Sequence, residues 1–293
     1  MTGSVGVVGG GIMGSGIAEV AARAGFDVVV REIDDMAKTA AKQRLTASLN
    51  KAVRAGKTSE SERDATWARL RFTTDLGDLA DRDVVIEAVV ENEAEKVAIF
   101  SALGKIVSPD CMLASNTSSI PIMKLAAVTA NPQRVIGMHF FNPVPVLPLV
   151  ELVPSLLTSP ETVQRAEAFA GTDLGKHTVL CKDRAGFVVN ALLIPYLLAA
   201  IRMVESGFAS AEDIDQAMVS GCAHPMGPLA LTDLIGLDTT HAVAQSMYAE
   251  FKEPLYAPPP LLLRMVEAGL LGRKSGHGFF SYGTPAGLPK AGA

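Results

Sequence analysis

Ser4-Val5-Gly6-Val7-Val8-Gly9-Gly10-Gly11-Ile12-Met13-Gly14 reads as a short apolar strand that turns on glycine and opens a helix continuing through Ala24. The G-x-G-x-x-G spacing has a physical reason at each glycine. Gly9 permits the tight turn, Gly11 lets the backbone approach a pyrophosphate, and Gly14 lets the helix pack closely on the strand. The free N–H groups of the helix start then face an anion. Gly9, Gly11, Ile12, Met13 and Gly14 are therefore the candidate cofactor-binding turn. A glycine turn without a ligand is the plain alternative, and the strand before it and helix after it argue against that.

The next strand ends Val28-Val29-Val30-Arg31-Glu32, which puts Glu32 18 residues past Gly14. A carboxylate there holds adenosine ribose hydroxyls and repels a 2′-phosphate, so NAD is expected over NADP. Arg31 keeps NADP as the second candidate, because its guanidinium can receive such a phosphate if Glu32 turns away.

Working outward, the first half alternates β-branched runs with helical patterns, the form of a parallel sheet covered on both faces. Strands are expected at Ser4–Val8, Asp27–Arg31, Asp83–Ala88, Met112–Ser115 and Val135–Met138. The long insert from Asp34 to Leu70 carries helical periodicity on both sides of Ala55-Gly56-Lys57 and reads as a helical hairpin standing off the sheet. After the prolines 143, 145 and 148, Leu149–Val153 can add a strand. A helix over Pro160–Leu174 and a strand at Thr178–Cys181 complete this domain. From Arg184 onward helix follows helix, with breaks at Gly207, Pro225 to Pro228 and Ala257 to Pro260. The fold class is thus α/β plus all-α: a Rossmann-type domain over 1–183, an all-helical domain over 184–282, and a disordered tail over 283–293.

The chain has 293 residues, 48% hydrophobic and 19% charged, enough to bury a large core. A net charge of -5 lacks the basic excess of a nucleic-acid binder. The apolar run from Gly186 to Ile201 is interrupted by Asn190 and Pro195 and is shorter than the roughly 18 to 20 residues of a membrane span. It reads as a buried helix, and no membrane partner is expected. Cys111, Cys181 and Cys222 are far apart without a C-x-x-C, which excludes a disulfide framework or zinc ribbon and suits a reducing cytoplasm. No metal site is expected, and the N-terminus lacks a signal-peptide pattern.

The chemistry gathers where strands end. Ser115-Asn116-Thr117-Ser118-Ser119-Ile120-Pro121 follows one strand, at the rim where open α/β sheets bind ligands. A helix cap accounts for one of its hydroxyls but does not require the whole cluster. His139 follows the next strand, in the stretch Gly137 to Glu151. A lone histidine among apolar residues is more often a satisfied core group, but here it sits beside the hydroxyl cluster and downstream of the cofactor turn. Imidazole, with an ordinary pKa of about 6.5, is suited to take the proton of a secondary alcohol as hydride leaves carbon. Glu151 is placed to fix its tautomer, with an exposed strand carboxylate as the alternative.

G-G-G-I-M-G, V-I-E-A-V-V-E-N, A-S-N-T-S-S-I, H-F-F-N-P-V-P, G-F-V-V-N and H-P-M-G-P-L-A-L-T-D-L-I-G-L-D together resemble the L-3-hydroxyacyl-CoA dehydrogenase family, in its bacterial 3-hydroxybutyryl-CoA form, over nearly the whole chain. The resemblance implies that His139 is the catalytic base and Glu151 its partner, and that Ser118 and Asn190 bind the substrate's 3-oxygen and neighbouring carbonyl. It implies that Glu91, Lys96 and Asn142 line the cofactor pocket and that Lys274 lies near the nicotinamide end. Glu32 replaces the aspartate common in relatives. Ser48 matches a contact to the nucleotide part of coenzyme A. Where a relative carries lysine this chain has Ala55, so Lys51, Arg54 or Lys57 would supply the charge for the phosphates. The resemblance also implies an acyl-CoA substrate, a role in fatty acid metabolism, and a homodimer formed through the helical domain. His224 is taken as structural. Two other readings stand beside this one: a dehydrogenase of free hydroxy acids or sugar acids, which calls for a cation near the substrate carboxylate, and an NAD-binding protein without turnover, which predicts gaps in the Ser118, His139, Glu151, Asn190 set.

Overall fold

The computed structural model describes residues 3–283. Eight strands form one sheet in the order β3-β2-β1-β4-β5-β6-β7-β8: β1 Ser4–Val8, β2 Asp27–Arg31, β3 Leu70–Thr73, β4 Val84–Glu87, β5 Met112–Ser115, β6 Val135–Phe140, β7 Leu149–Pro154 and β8 His177–Leu180. Neighbours run parallel except β6 and β7, which are antiparallel. The order reverses between β1 and β4, the switch point where such sheets leave a crevice.

Alternation along the strands divides the core in two. Val5, Val7, Val28, Val30, Ile86, Met112, Ile136 and Met138 enter the cluster on one face. Val8, Val29, Val85, Leu113, Val135 and Val153 enter the other, with Phe100, Leu103, Ile122 and Leu125 from helices. Fully burying each such side chain contributes roughly 1.5–3 kcal/mol. Any polar group in that second layer therefore needs a partner to hold its place.

Helix α1 (Ile12–Arg23) covers the first face through residues buried from Gly14 to Ala22. The expected hairpin is α2 (Asp35–Arg54) and α3 (Glu60–Ala68). Asp34 caps α2 by accepting from the Ala37 amide, and Ser59 with Glu62 forms a capping box on α3. Only Ala41, Leu45 and Leu49 of α2 are buried, a seam at four-residue spacing that joins the α1 core through Leu45. The hairpin is therefore held by one edge rather than standing clear. The third strand was absent from the sequence expectation: Leu70–Thr73 is short, but its backbone pairs with β2 at the sheet edge.

Helix α4 (Glu93–Ile106) and the short α5 (Ile122–Ala126) cover the second face. Both Asp183 carboxylate oxygens accept from the α5 amides of Ile122 and Met123, at 2.8 Å each. The expected helix over 160–174 is α6 (Pro160–Glu167) followed by a wider π-type winding, Ala168–Asp173.

The chain divides into two compact units between Phe187 and Val188. The second consists of α7 (Val189–Glu205), α8 (Ala211–Cys222), α9 (Pro228–Ile235), α10 (Leu237–Phe251) and α11 (Pro260–Glu267). Asp215 of α8 accepts from the Leu229 and Ala230 amides and so caps α9. Gly227 is required there, since a Cβ would lie 2.2 Å from the Asp215 carboxyl carbon. The apolar run expected to be a buried helix is only partly so: in α7 Leu197, Leu198 and Ile201 are buried while Leu192 is exposed. Among the described residues no helix is long and apolar enough to cross a membrane. Of the tail expected over 283–293, residues 284–293 lie outside those described.

Candidate active site

The glycine turn is built for a close approach. Gly9 takes φ +92°, and a Cβ on Gly14 would lie 1.7 Å from the Gly9 carbonyl oxygen. A Cβ on Gly11 would meet nothing within 4 Å, so this glycine faces open space. No side chain caps α1 at Gly11, which leaves its first amides available. A backbone cradle with uncapped amides fits a dinucleotide pyrophosphate. Ile12 is exposed and Met13 half-buried on the first turn.

Glu32 turns toward this cradle: Oε1 accepts the Gly10 amide at 2.7 Å. Arg31 turns away, its Nε donating to the Thr74 carbonyl at 3.3 Å. The carboxylate thus lies beside the glycine cradle, where an adenosine ribose is expected, and the condition that would have favoured NADP is not met. Arg44 of α2 donates to the Gly10 carbonyl at 2.8 Å, a brace that sequence spacing did not reveal.

Across the sheet, β6 extends two residues beyond its expected end, so His139 lies within the strand rather than after it. In the antiparallel register it stands directly opposite Glu151. Its Nδ1 lies 2.7 Å from Glu151 Oε2. Glu151 is fully buried and His139 is 7% exposed. A buried carboxylate at that distance fixes the proton on Nδ1 and leaves the Nε2 lone pair outward. The rings of Phe141 and Phe187 flank the imidazole at 4.5 and 5.5 Å between centroids. Asn116 Oδ1 accepts the Phe140 amide at 2.9 Å and so ties the hydroxyl loop to the histidine strand.

Ser118 lies in the loop after β5, where its amide donates to Glu91 Oε1 at 2.9 Å. Glu91 also accepts from Thr117, Ser119 and the Ser118 hydroxyl. Crowding pushes the Glu91 carboxyl upward, but the Lys96 ammonium, the Thr117 hydroxyl and the Ser118 amide outweigh it and hold the group below the usual glutamate range. Lys96, expected to line the cofactor pocket, is 1% exposed and paired with Glu87 at 2.6 Å. Glu87 was missed, although a carboxylate closing the apolar run Val84–Ile86 was a visible signal. Asn142 is exposed just beyond β6.

Ser48 of α2 hydrogen-bonds the buried Glu19 of α1, while Lys51, Arg54 and Lys57 are exposed along the hairpin. In the second unit Asn190 occupies the first turn of α7, and Lys274 is exposed with both Asp238 carboxylate oxygens within 2.6 Å. His224 Nδ1 lies 3.2 Å from the Tyr196 hydroxyl within the same unit. Among the described residues no group of His, Cys, Asp and Glu is arranged to hold a metal ion.

A switch-point glycine cradle with a carboxylate just after β2, and a buried histidine–carboxylate pair at the same rim of the sheet, define a dinucleotide-dependent dehydrogenase. The 3-hydroxyacyl-CoA dehydrogenase NAD-binding domain model matches residues 4–184, and the C-terminal domain model of the same enzymes matches 186–282. The chain belongs to the 3-hydroxyacyl-CoA dehydrogenase family. It is 64% identical over 279 residues to a 3-hydroxybutyryl-CoA dehydrogenase of Mycobacterium tuberculosis, covering 95% of this chain and 98% of the relative. Its structure is similar to that of M. tuberculosis FadB2, with a TM-score of 0.94, 64% identity, and coverage of 95% and 98% of the two chains. It also resembles (S)-3-hydroxybutyryl-CoA dehydrogenase PaaH1 from Ralstonia eutropha, with a TM-score of 0.92, 45% identity, and coverage of 97% and 100%. These relatives do not favour a free hydroxy acid or a non-catalytic role.

Proposed function

We propose that this protein interconverts a short-chain L-3-hydroxyacyl-CoA and its 3-ketoacyl-CoA with NAD, with 3-hydroxybutyryl-CoA and acetoacetyl-CoA as the preferred pair. The observation that carries the reading is the buried His139–Glu151 pair, opposite one another across β6 and β7 at the carboxyl rim of the sheet. The names of the relatives support the acyl-chain assignment.

His139 Nε2 takes the proton of the 3-hydroxyl as the carbon–oxygen double bond forms. The imidazolium that results is stabilised by Glu151, whose carboxylate already holds Nδ1–H. Bound NAD would supply the hydride acceptor for C3, and NADH the hydride donor in the reverse direction. Ser118 and Asn190 are assigned to the substrate's 3-oxygen and neighbouring carbonyl. Gly9, Gly11, Ile12, Met13 and Gly14 would hold the pyrophosphate, Glu32 the adenosine ribose, and Glu91, Lys96, Asn142 and Lys274 the remainder of the cofactor. Ser48 and Lys51 face the nucleotide part of coenzyme A. The family resemblance supports a homodimer and a role in fatty acid metabolism, and three unpaired cysteines support a reducing cytoplasm.

The test is to follow NADH absorbance on mixing with acetoacetyl-CoA, with free acetoacetate and NADPH as controls. Oxidation of NADH that requires the coenzyme A thioester is expected. Equal rates with free acetoacetate, or none with either, would overturn the proposal.

A further inference from the structure

Behind the rim lies a charge cluster in which a buried ammonium and a buried carboxylate meet a second, partly exposed carboxylate. Lys96 Nζ, on α4, is 2.6 Å from Glu87 Oε1 and 3.3 Å from Glu91 Oε2. Glu87 is fully buried, and its other oxygen accepts the Ser115 hydroxyl at 2.7 Å, while Oε1 also accepts the Val89 amide. Glu87 and Ser115 are register partners on β4 and β5, which anchors the cluster to two adjacent strand ends. The charged groups facing this cluster are Glu87 at the end of β4, Glu91 in the loop after it and Lys96 on α4. The hydroxyls of Ser115, Thr117, Ser118 and Ser119 complete it.

On its outer side, Glu91 Oε1 is met by two amides, of Ser118 and Ser119, and by the hydroxyls of Thr117, Ser118 and Ser119. Converging donors suit only an ionised carboxylate, which accepts and never donates. A protonated Glu91 would set a donor among donors and release the turn that carries Ser118. Lys96 supplies the positive charge on the inner side of the same carboxylate.

We propose that Lys96 is a positioning residue for the dehydrogenase reaction: its buried ammonium keeps Glu91 an anion, and that anion fixes the backbone turn presenting Ser118 to substrate. This rests on the site reading above and adds an action through Glu91 to the cofactor contact expected of Lys96. A misplacement of about 1 Å in such a turn lowers turnover on the order of 10²-fold, so the arrangement has kinetic consequence.

The experiment measures kcat and KM for acetoacetyl-CoA, with NADH, from about pH 5.5 to about pH 9 in wild type, Lys96→Met, Glu91→Gln and Glu87→Gln. Wild-type activity is the prior condition, and its absence removes the functional reading itself. In Lys96→Met, burial acts on Glu91 without its counter-charge. kcat is expected to fall about tenfold or more at the acid end and to recover as pH rises. Glu91→Gln, which mimics the protonated state, is expected to stay low at every pH. Glu87→Gln breaks a buried pair but leaves Lys96 beside Glu91, so it keeps the wild-type pH profile even where its melting temperature drops. A Lys96→Met profile that parallels wild type in an active enzyme overturns the inference and leaves the functional reading standing. If Lys96→Met does not fold, Lys96→Arg, which keeps the charge, and Lys96→Gln, which does not, decide in its place: an acid-side loss of kcat in Lys96→Gln but not in Lys96→Arg supports the role, and parallel profiles overturn it.

Discussion

His139 and Glu151 are 12 positions apart in the chain, and the residue-level chemistry depends on their being one hydrogen bond apart. His139→Gln keeps a ring-sized polar group but cannot take a proton. Its kcat is expected to fall on the order of 10² to 10⁴, with NADH affinity nearly unchanged, as read by steady-state kinetics and fluorescence titration. A second carboxylate behaves in the opposite way. Glu19 of α1 is 1% exposed, and among the described residues its Oε2 has no hydrogen-bond partner. Burial raises its pKa, against the Ser48 hydrogen bond and the Arg23 charge that lower it. The folded protein therefore binds this proton more tightly than the unfolded chain, and stability is lost as pH rises from the ordinary glutamate range through the raised value. Glu19→Gln is expected to match wild type in acid and to exceed it at neutral pH in urea unfolding. A variant less stable than wild type at both pH values would contradict this account.

At the scale of elements, the strand–turn–helix that opens the chain separates two glycines of identical composition and different duty. Gly14 admits no Cβ because the Gly9 carbonyl occupies its place, whereas Gly11 has room for one. Gly14→Ala must move α1 away from β1 and is expected to lose several kcal/mol of stability, the range of forced overpacking being about 1–3 kcal/mol or more. Gly11→Ala should leave the melting temperature almost unchanged yet weaken NADH binding at least about tenfold, since the added methyl fills the space where the pyrophosphate approaches. Thermal unfolding and a binding titration on the two variants separate these effects. Both glycines were legible from spacing, as was the hairpin, because local periodicity carries helices. The strand Leu70–Thr73 was not legible: four residues with little burial are a strand only because β2 offers an edge to pair with. Nor was the extra length of β6, which follows from β7 pairing along it as far as Phe140.

For the molecule as a whole, the chain forms two compact units, and the second is tied by two buried carboxylates, Asp215 and Asp233, that accept backbone amides. In the second, Asp233 accepts the amides of Phe279 and Phe280 and the Tyr282 hydroxyl, all at 2.9 Å, and so fastens the end of the described chain to α9. Burial, together with the Asp233 charge and hydrogen bond, pushes the Tyr282 phenol up to about 12. Asp233→Ala leaves two amides without acceptors and is expected to cost about 2 to 5 kcal/mol in urea unfolding followed by circular dichroism. Asp233→Asn, which keeps one acceptor oxygen, is expected to cost less. A loss within about 0.5 kcal/mol for the alanine variant would show that water replaces the carboxylate freely.

Features that depend on neighbours in the chain were legible along it: the glycine turn, the carboxylate 18 residues on, the alternation of strands and helices, and the change to an all-helical second half. The sequence also marked candidate residues for the reaction, because His139, Ser118 and Asn190 stand in the motifs that carry the family resemblance and Glu151 follows 12 positions after His139. Only the tertiary structure decided how those motifs act. The reversal of β7 against β6 puts His139 opposite Glu151. The adjacency of β4 and β5 joins Glu87 to Ser115, and the packing of α4 buries Lys96 against Glu87. Periodicity along a chain is set by local geometry, whereas strand direction, register and desolvation are set by partners distant in sequence, and the chemistry of this site resides in those partners.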